Sequence, residues 1–233
     1  MTGVQTCALR SPSSNYVARV SAIFANNGAG KRGDLGAVVK AVLLDTEARD
    51  VRWSVGSASF GRLKEPAQRA MAIGRAGHLE RQTNLLWWTW GDFNAAAFQE
   101  PGYSPSVFNF FRPSYQPPGL LTANGLVGPA FQITDSYSCI SFPNKLWEIT
   151  EQGFAYGGTY NFPADYSDLV PLATNAPALL DQVNYLFCGG TMTAATRDNI
   201  LNVVQQIPSY DALLRTRLAV YLAAACPEGA VQR

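Results

Sequence analysis

NAPALLDQVNYLFCGGTMTAATRDNILNVVQQIPSYDALLRTRLAVYLAAACP, residues 175–227, holds three apolar stripes at helical spacing, separated by two turn signals. Asn175 stands where an N-cap is wanted, Pro177 falls in the opening turn, and Gly189 closes the first stripe of Leu179, Leu180, Val183, Leu186 and Phe187. The second stripe, Ile200, Val203, Val204 and Ile207, ends before Pro208. The third opens with Ser209 as a cap, turns Leu214, Leu218, Tyr221, Leu222 and Ala225 inward, and stops at Pro227. Three successive helices joined by short turns predict a mainly α protein. The spacing of Pro, Gly and aromatic residues elsewhere makes it an irregular helical bundle with long loops of that composition.

Composition fits that class. A chain of 233 residues, 47% hydrophobic and 15% charged, buries a substantial core, and residues 12–233 are expected to form a single helical domain. Eighteen Lys and Arg against seventeen Asp and Glu give a net charge of +1, so neither the whole chain nor any local run argues for a nucleic-acid partner. No segment of this sequence reads as a membrane span.

Upstream of the three helices, residues 151–174 read as a long loop rich in Gly, Tyr, Asn and Pro. Gln132 to Thr150 reads as partly helical, with Pro143 breaking or kinking it. The densest aromatic and proline run is FQEPGYSPSVFNFFRPSYQPPG, residues 98–119. Ser104 suits an N-cap with Pro105 at the first helical position, and Pro113 is the stop. Val107, Phe108, Phe110 and Phe111 are apolar nearly all round. So short and greasy a helix is not stable alone and is expected to be enclosed by other elements. Asn109 and Arg112 would then need partners, either backbone carbonyls of the following Pro-rich loop or a ligand. With Tyr115 they are the candidate binding residues.

Nearer the N-terminus, Trp87, Trp88 and Trp90 suit either core packing or stacking on sugars and bases. Asp92 to Phe98 reads as one or two helical turns. Pro66 begins a helix running to about Arg75 that buries Ala67, Ala70, Met71 and Ile73. Residues 46–62 read as a loop with a short extended piece at Val51 to Val55. Asp34 caps a helix with a stripe of Leu35, Val38, Val39, Val42 and Leu43, and a further helix spans about 15–26 with Val17, Val20, Ile23 and Phe24 on one side. The loop between them, Gly28 to Gly33, has only a faint likeness to a phosphate-binding loop, because Ala25 stands where its first glycine belongs and Arg32 follows Lys31. The first residues, MTGVQTCAL, resemble a translated sequencing adapter. Residues 1–11 are therefore expected to be a non-natural tail, and the parent reading frame to extend upstream of about Pro12.

Catalytic signals are weak. His78 is the single histidine and spells His-x-Glu with Glu80, without the Pro-Cys-x-x-Cys that zinc deaminases carry, so it reads as a surface or capping residue. Gly102-Tyr103-Ser104-Pro105-Ser106 lacks the closing glycine of a nucleophile elbow. No catalytic residue, metal site or cofactor is assigned. Asp92, Glu100, Asp135 and Asp165 are the carboxylates from which a glycosidase-type pair would have to come.

SPSVFNFFRPSYQPPG followed by GLVGPAFQIT, residues 104–119 and 125–134, resembles the signature of the bacterial family called domain of unknown function 1800. FANNGAGKRGDLGAVVKAVLLDTEAR, RLKEP, CGGTMTAATRDNI and AVQR are similar to its other blocks, in the family's order. The chain departs from the pattern at Gly128-Pro129-Ala130-Phe131, where many members have Ala-Pro-Glu-Phe. The resemblance implies the C-terminal portion of a longer, exported protein, periplasmic or secreted, frequently encoded beside a sulfatase-like family, 1501. It carries no established catalytic residue. In an exported protein Cys188 and Cys226 are candidates for a disulfide that would close the bundle, stabilising it by about 3–4 kcal/mol on the chain-entropy account. The alternative is two ordinary buried thiols, and Cys139 has no evident partner. The functional expectation is a noncatalytic binding or structural module acting with the sulfatase-like partner. The competing expectation is a hydrolase acting on polysaccharide or sulfated glycan through a carboxylate pair.

Overall fold

The computed structural model describes residues 13–49, 62–79, 91–156 and 159–232. The 1–11 tail, the extended piece at Val51 to Val55, Glu80 and the Trp87, Trp88 and Trp90 cluster lie outside the described residues. The fold is mainly helical. The chain divides into two compact units, the first ending at Arg62 and the second running from Leu63 to Gln232.

The first unit contains helix α1, Ser14–Ala25, and helix α2, Leu35–Leu44, followed by one turn at Thr46–Arg49. Ser13 accepts from the Tyr16 amide and Asp34 from the Ala37 amide, so each helix starts on the side chain of the residue before it. The Tyr16 hydroxyl donates to the Val42 carbonyl at 3.0 Å, Arg19 grips both oxygens of Asp45 at 2.7 Å, and the Gly33 amide meets the Phe24 carbonyl at 2.8 Å. Those contacts join the start of one helix to the end of the other, so the pair runs antiparallel. Between them, Asn26 Oδ1 accepts from Gly28 and Gly30, and Asn27 Oδ1 from Ala29 and Lys31. The amides that a phosphate would require are already engaged by the loop's own side chains. The predicted stripe of α2 is only half covered, with Leu35 69% exposed, because a two-helix unit shields one side of each helix.

The second unit contains α3 (Pro66–Ala76), α4 (Gly91–Ala97), α5 (Ser138–Gln152), α6 (Ala176–Cys188), α7 (Ala194–Gln206) and α8 (Ala212–Ala225). Their common core is built on Ile73, Leu146, Ile149, Leu179, Leu180, Val183, Val204 and Val220, all fully enclosed. Helix α8 packs on α3, α5, α6 and α7. Its inward side is Ala219, Val220, Ala223 and Ala224, whereas the predicted Leu214, Leu218, Tyr221 and Leu222 are half-buried at the flanks. With apolar residues spread around the helix and Arg215 and Thr216 among its enclosed residues, no periodicity marks the inner face, and small side chains let neighbouring helices approach closest. Its cap is Asp211, which accepts from the Leu214 amide at 3.2 Å, two residues after the expected Ser209.

Two further differences have local causes. Helix α5 continues through Pro143, which falls in its second turn and removes one backbone hydrogen bond without ending the helix. Within the predicted 151–174 loop lie an antiparallel hairpin, β1 (Phe154–Tyr156) with β2 (Thr159–Phe162), and a 3-10 turn at Val170–Thr174. Gly153 makes the hairpin's return possible. Its φ is +87°, and a Cβ there would lie 1.8 Å from the Phe162 carbonyl oxygen. Tyr166 is enclosed below the hairpin, and its hydroxyl donates to the Thr150 carbonyl at 3.1 Å; burial pushes its pKa up.

Arg215 is a buried cation of the unit. Its guanidinium donates to the Ala173 carbonyl at 2.8 Å and through two nitrogens to the Ile207 carbonyl, so the 3-10 turn and the end of α7 are fastened to α8. Arg215→Met is expected to leave both carbonyls without their donor and to lower stability by roughly 1–3 kcal/mol in urea unfolding. Gly153→Ala is expected to lower the unfolding midpoint as well, because the hairpin must shift to admit the methyl group.

Candidate functional site

The organising group of the aromatic stretch is Glu65, the residue that caps α3. Its amide is held by Gln68 Oε1 at 3.2 Å, and its Oε2 accepts from Gln99 Nε2 at 2.6 Å and from Asn109 Nδ2 at 3.0 Å. Gln99, 2% exposed, in turn accepts from the Ala67 amide at 2.9 Å, so the open first turn of α3 and the start of the loop satisfy each other. Phe98, at φ +51°, turns the chain out of α4 toward this contact.

The expected helix from Ser104 to Arg112 does not form. The Phe108 amide donates to Ser106 Oγ at 3.1 Å and the Asn109 amide to the Ser106 carbonyl at 3.1 Å, and Asn109 adopts the left-handed conformation at φ +66°. Two local preferences and one distant partner outweigh a helix of that length. Serine competes for backbone donors, asparagine tolerates positive φ, and Glu65 captures the Asn109 amide group. The expected enclosure is absent too: Val107 is 94% and Phe108 59% exposed, while Phe110 and Phe111 are half-buried.

Of the three candidate binding residues, Asn109 is half-buried and bonded to a carboxylate, where backbone carbonyls of the Pro-rich loop were expected. Arg112 gives its backbone amide to Gln132 Oε1 at 2.6 Å and has an exposed side chain. Tyr115 is half-buried, and its carbonyl accepts from the Gly128 amide at 2.8 Å. A Cβ at Gly128 would come within 2.9 Å of the Phe131 ring, so any larger residue there requires that ring to shift. These contacts fold residues 98–132 back on themselves and leave Tyr103, Val107, Phe108, Leu120 and Leu126 on the outside.

The candidate carboxylates are dispersed among local turns. Glu100 accepts from Asn94 Nδ2 at 3.4 Å, and Asp165 from the Ser167 amide and hydroxyl at 2.8 and 3.2 Å. Asp135 accepts from the Ser138 amide at 2.8 Å, which holds its carboxyl below the usual range. The side chain of Asp92 lies outside the described residues. Among the described residues, no group of three or more His, Cys, Asp or Glu is arranged to hold a metal ion. No described helix is long and apolar enough to cross a membrane.

One feature had no legible signal in sequence. A cleft of about 450 Å³ lies between α3 and the hairpin, floored by Gly74, Leu79, Phe154 and Phe162 and edged by Met71, Arg75 and His78. His78 Nε2 lies 2.8 Å from Asp168 Oδ2, and both side chains are exposed, so the single histidine is a surface residue with a carboxylate partner. The Cys188 and Cys226 sulfurs lie 3.7 Å apart in the interior, whereas Cys139 is an exposed free thiol.

Residues 5–230 match the family model described as protein of unknown function DUF1800, and the chain belongs to that family. No curated protein and no solved structure matches the chain significantly.

The Glu65 contacts generate a graded expectation for the loop. Glu65→Ala should lower stability by roughly 1–3 kcal/mol and speed proteolytic cleavage within residues 100–118, because Gln99 and Asn109 both lose their acceptor. Asn109→Gly keeps the backbone and loses only the Glu65 contact. Asn109→Ala loses both and should be the less stable of the two by about 1 kcal/mol in urea unfolding.

Proposed function

We propose that this chain is a noncatalytic binding or structural module whose contact surface is the aromatic loop of residues 98–131. The carrying observation is the outward Val107 and Phe108 pair, set on a tight turn whose next residue, Asn109, is fastened to Glu65. A large apolar side chain gains about 1.5–3 kcal/mol when removed from water. A turn pinned from behind and apolar in front is therefore well suited to be covered by another molecule, with little ordering cost on docking. Arg112, exposed on the same loop, supplies a charged contact at its rim, and Tyr115 supports the strand of chain behind it.

In keeping with the family resemblance, the partner we favour is the sulfatase-like protein of the neighbouring 1501 family, in the bacterial periplasm or outside the cell. The hydrolase reading has less support, because Glu100, Asp135 and Asp165 are each taken up by a local turn and share no hydrogen-bond partner.

Copurification of the full-length parent with its sulfatase-like neighbour, with a parallel glycan-binding screen, tests the proposal. Retention is expected for the wild type, with at least a tenfold loss of affinity for Val107→Ser combined with Phe108→Ser, and a smaller loss for Arg112→Ala. Silence in both assays removes the reading. Release of soluble sugar or sulfate from a glycan by the chain alone would replace it with the hydrolase.

A further inference from the structure

The buried cysteines are a reactive pair of the second unit that the proposed contact surface does not use. Cys188 is the last residue of α6, and Cys226 is the N-cap of the short turn Pro227–Ala230 that follows α8. Both are nearly enclosed, at 6% and 9% exposure, and their sulfurs touch at 3.7 Å. A disulfide needs sulfurs about 2.05 Å apart. Among the described residues no third His, Cys, Asp or Glu completes a metal-ligand group with them.

Their surroundings are asymmetric. Cys226 Sγ accepts from the Gly229 amide at 3.3 Å, either sulfur can donate to the other, and both reach the Ala223 carbonyl, Cys226 at 3.2 Å and Cys188 at 3.7 Å. The charged and titratable groups around the pair are Lys64 and Arg69 on the cationic side, with Glu228 and Tyr221 opposite. The contact between the sulfurs and burial push the Cys188 thiol up, while that contact and the Gly229 amide draw Cys226 down.

We propose that Cys188 and Cys226 form a structural disulfide by exchange with an external disulfide. One of the two, as its thiolate, displaces one half of the external disulfide as a thiolate and forms a mixed disulfide. The other, losing its proton, then attacks the bonded cysteine sulfur and expels the second half. Two electrons and two protons pass to the external disulfide, which leaves as two thiols. Because both sulfurs are enclosed in the finished fold, exchange takes place during folding or local opening. The bond closes a 38-residue separation and joins the ends of α6 and α8. Those ends also hold the region of α3, since Lys64 Nζ donates to the Phe187 carbonyl at 2.8 Å and Arg69 Nη2 to the Ala224 carbonyl at 3.0 Å.

The test uses the full chain, refolded in a mixture of reduced and oxidised glutathione, and in parallel the folded protein exposed to oxidised glutathione. Unreduced protein is alkylated in denaturant and digested with trypsin, which places Cys7, Cys139, Cys188 and Cys226 in four different peptides, bounded by Arg10, Arg81, Lys145, Arg197 and Arg217. The expected product by either route links the Cys188 and Cys226 peptides, with Cys7 and Cys139 alkylated. The linked protein should unfold at a higher urea concentration than its reduced form, a difference that disappears in the Cys188→Ala, Cys226→Ala double variant. Full alkylation of both cysteines by both routes, or a link made through Cys7 or Cys139, overturns the proposal. An unfolding midpoint unchanged by reduction overturns its structural role.

Discussion

Close packing around α8 is the constraint on which the second unit rests. Its enclosed residues are Ala219, Val220, Ala223 and Ala224, with Thr216 and Arg215 in the first half of the helix. Alanine surfaces allow α3, α5, α6 and α7 to meet around one axis, and the bulk required to fill the interior comes from the facing elements, as Ile73, Leu146, Leu179 and Val204. Arg215 fits here because its guanidinium replaces water with two carbonyls at the ends of irregular segments, which no ladder hydrogen bond would otherwise satisfy. Thr216 solves a smaller form of that problem by donating to the Ala212 carbonyl one turn back at 2.8 Å.

That packed axis fixes α3, and α3 fixes the aromatic loop. Arg69 lies over the Phe142 ring at 4.9 Å while donating to the end of α8, so α3 is held against α5 and α8 by one side chain. Its capping residue, Glu65, then serves the loop rather than the helix alone. The result is an outward apolar turn mounted on a rigid helix start, in place of a small helix sunk in the core. A hydrogen-bond acceptor more than thirty residues away thus decides whether Val107 and Phe108 face inward or outward.

The first unit follows simpler rules. Its two helices are held by Tyr16, Arg19 and an asparagine-rich connection that satisfies its own amides. Among its described residues nothing of comparable size to the second unit's core is present, and only Tyr16 is buried in either helix. Polar closure of the loop and one interior ring hold the pair, with Leu35 and Val39 largely in contact with solvent.

The sequence alone determined the elements whose hydrogen bonds are local. Asp34 and Asn175 cap the helices they were expected to cap, Gly189 takes the left-handed conformation that ends α6, and the helix begun by Pro66 appears where its signal lies. These features depend on residues within four positions of one another, so the linear pattern carries them. Membership of the family was legible for a related reason, since SPSVFNFFRPSYQPPG identifies its relatives whatever conformation it adopts. The tertiary structure decided what depends on distant partners: the turn at Ser106–Asn109, the hairpin closed over Gly153, the inner face of α8, and the meeting of Cys188 with Cys226. In each case local propensity allows more than one outcome. The choice falls to a carboxylate, a carbonyl or a packed neighbour that chain folding brings within a few ångströms.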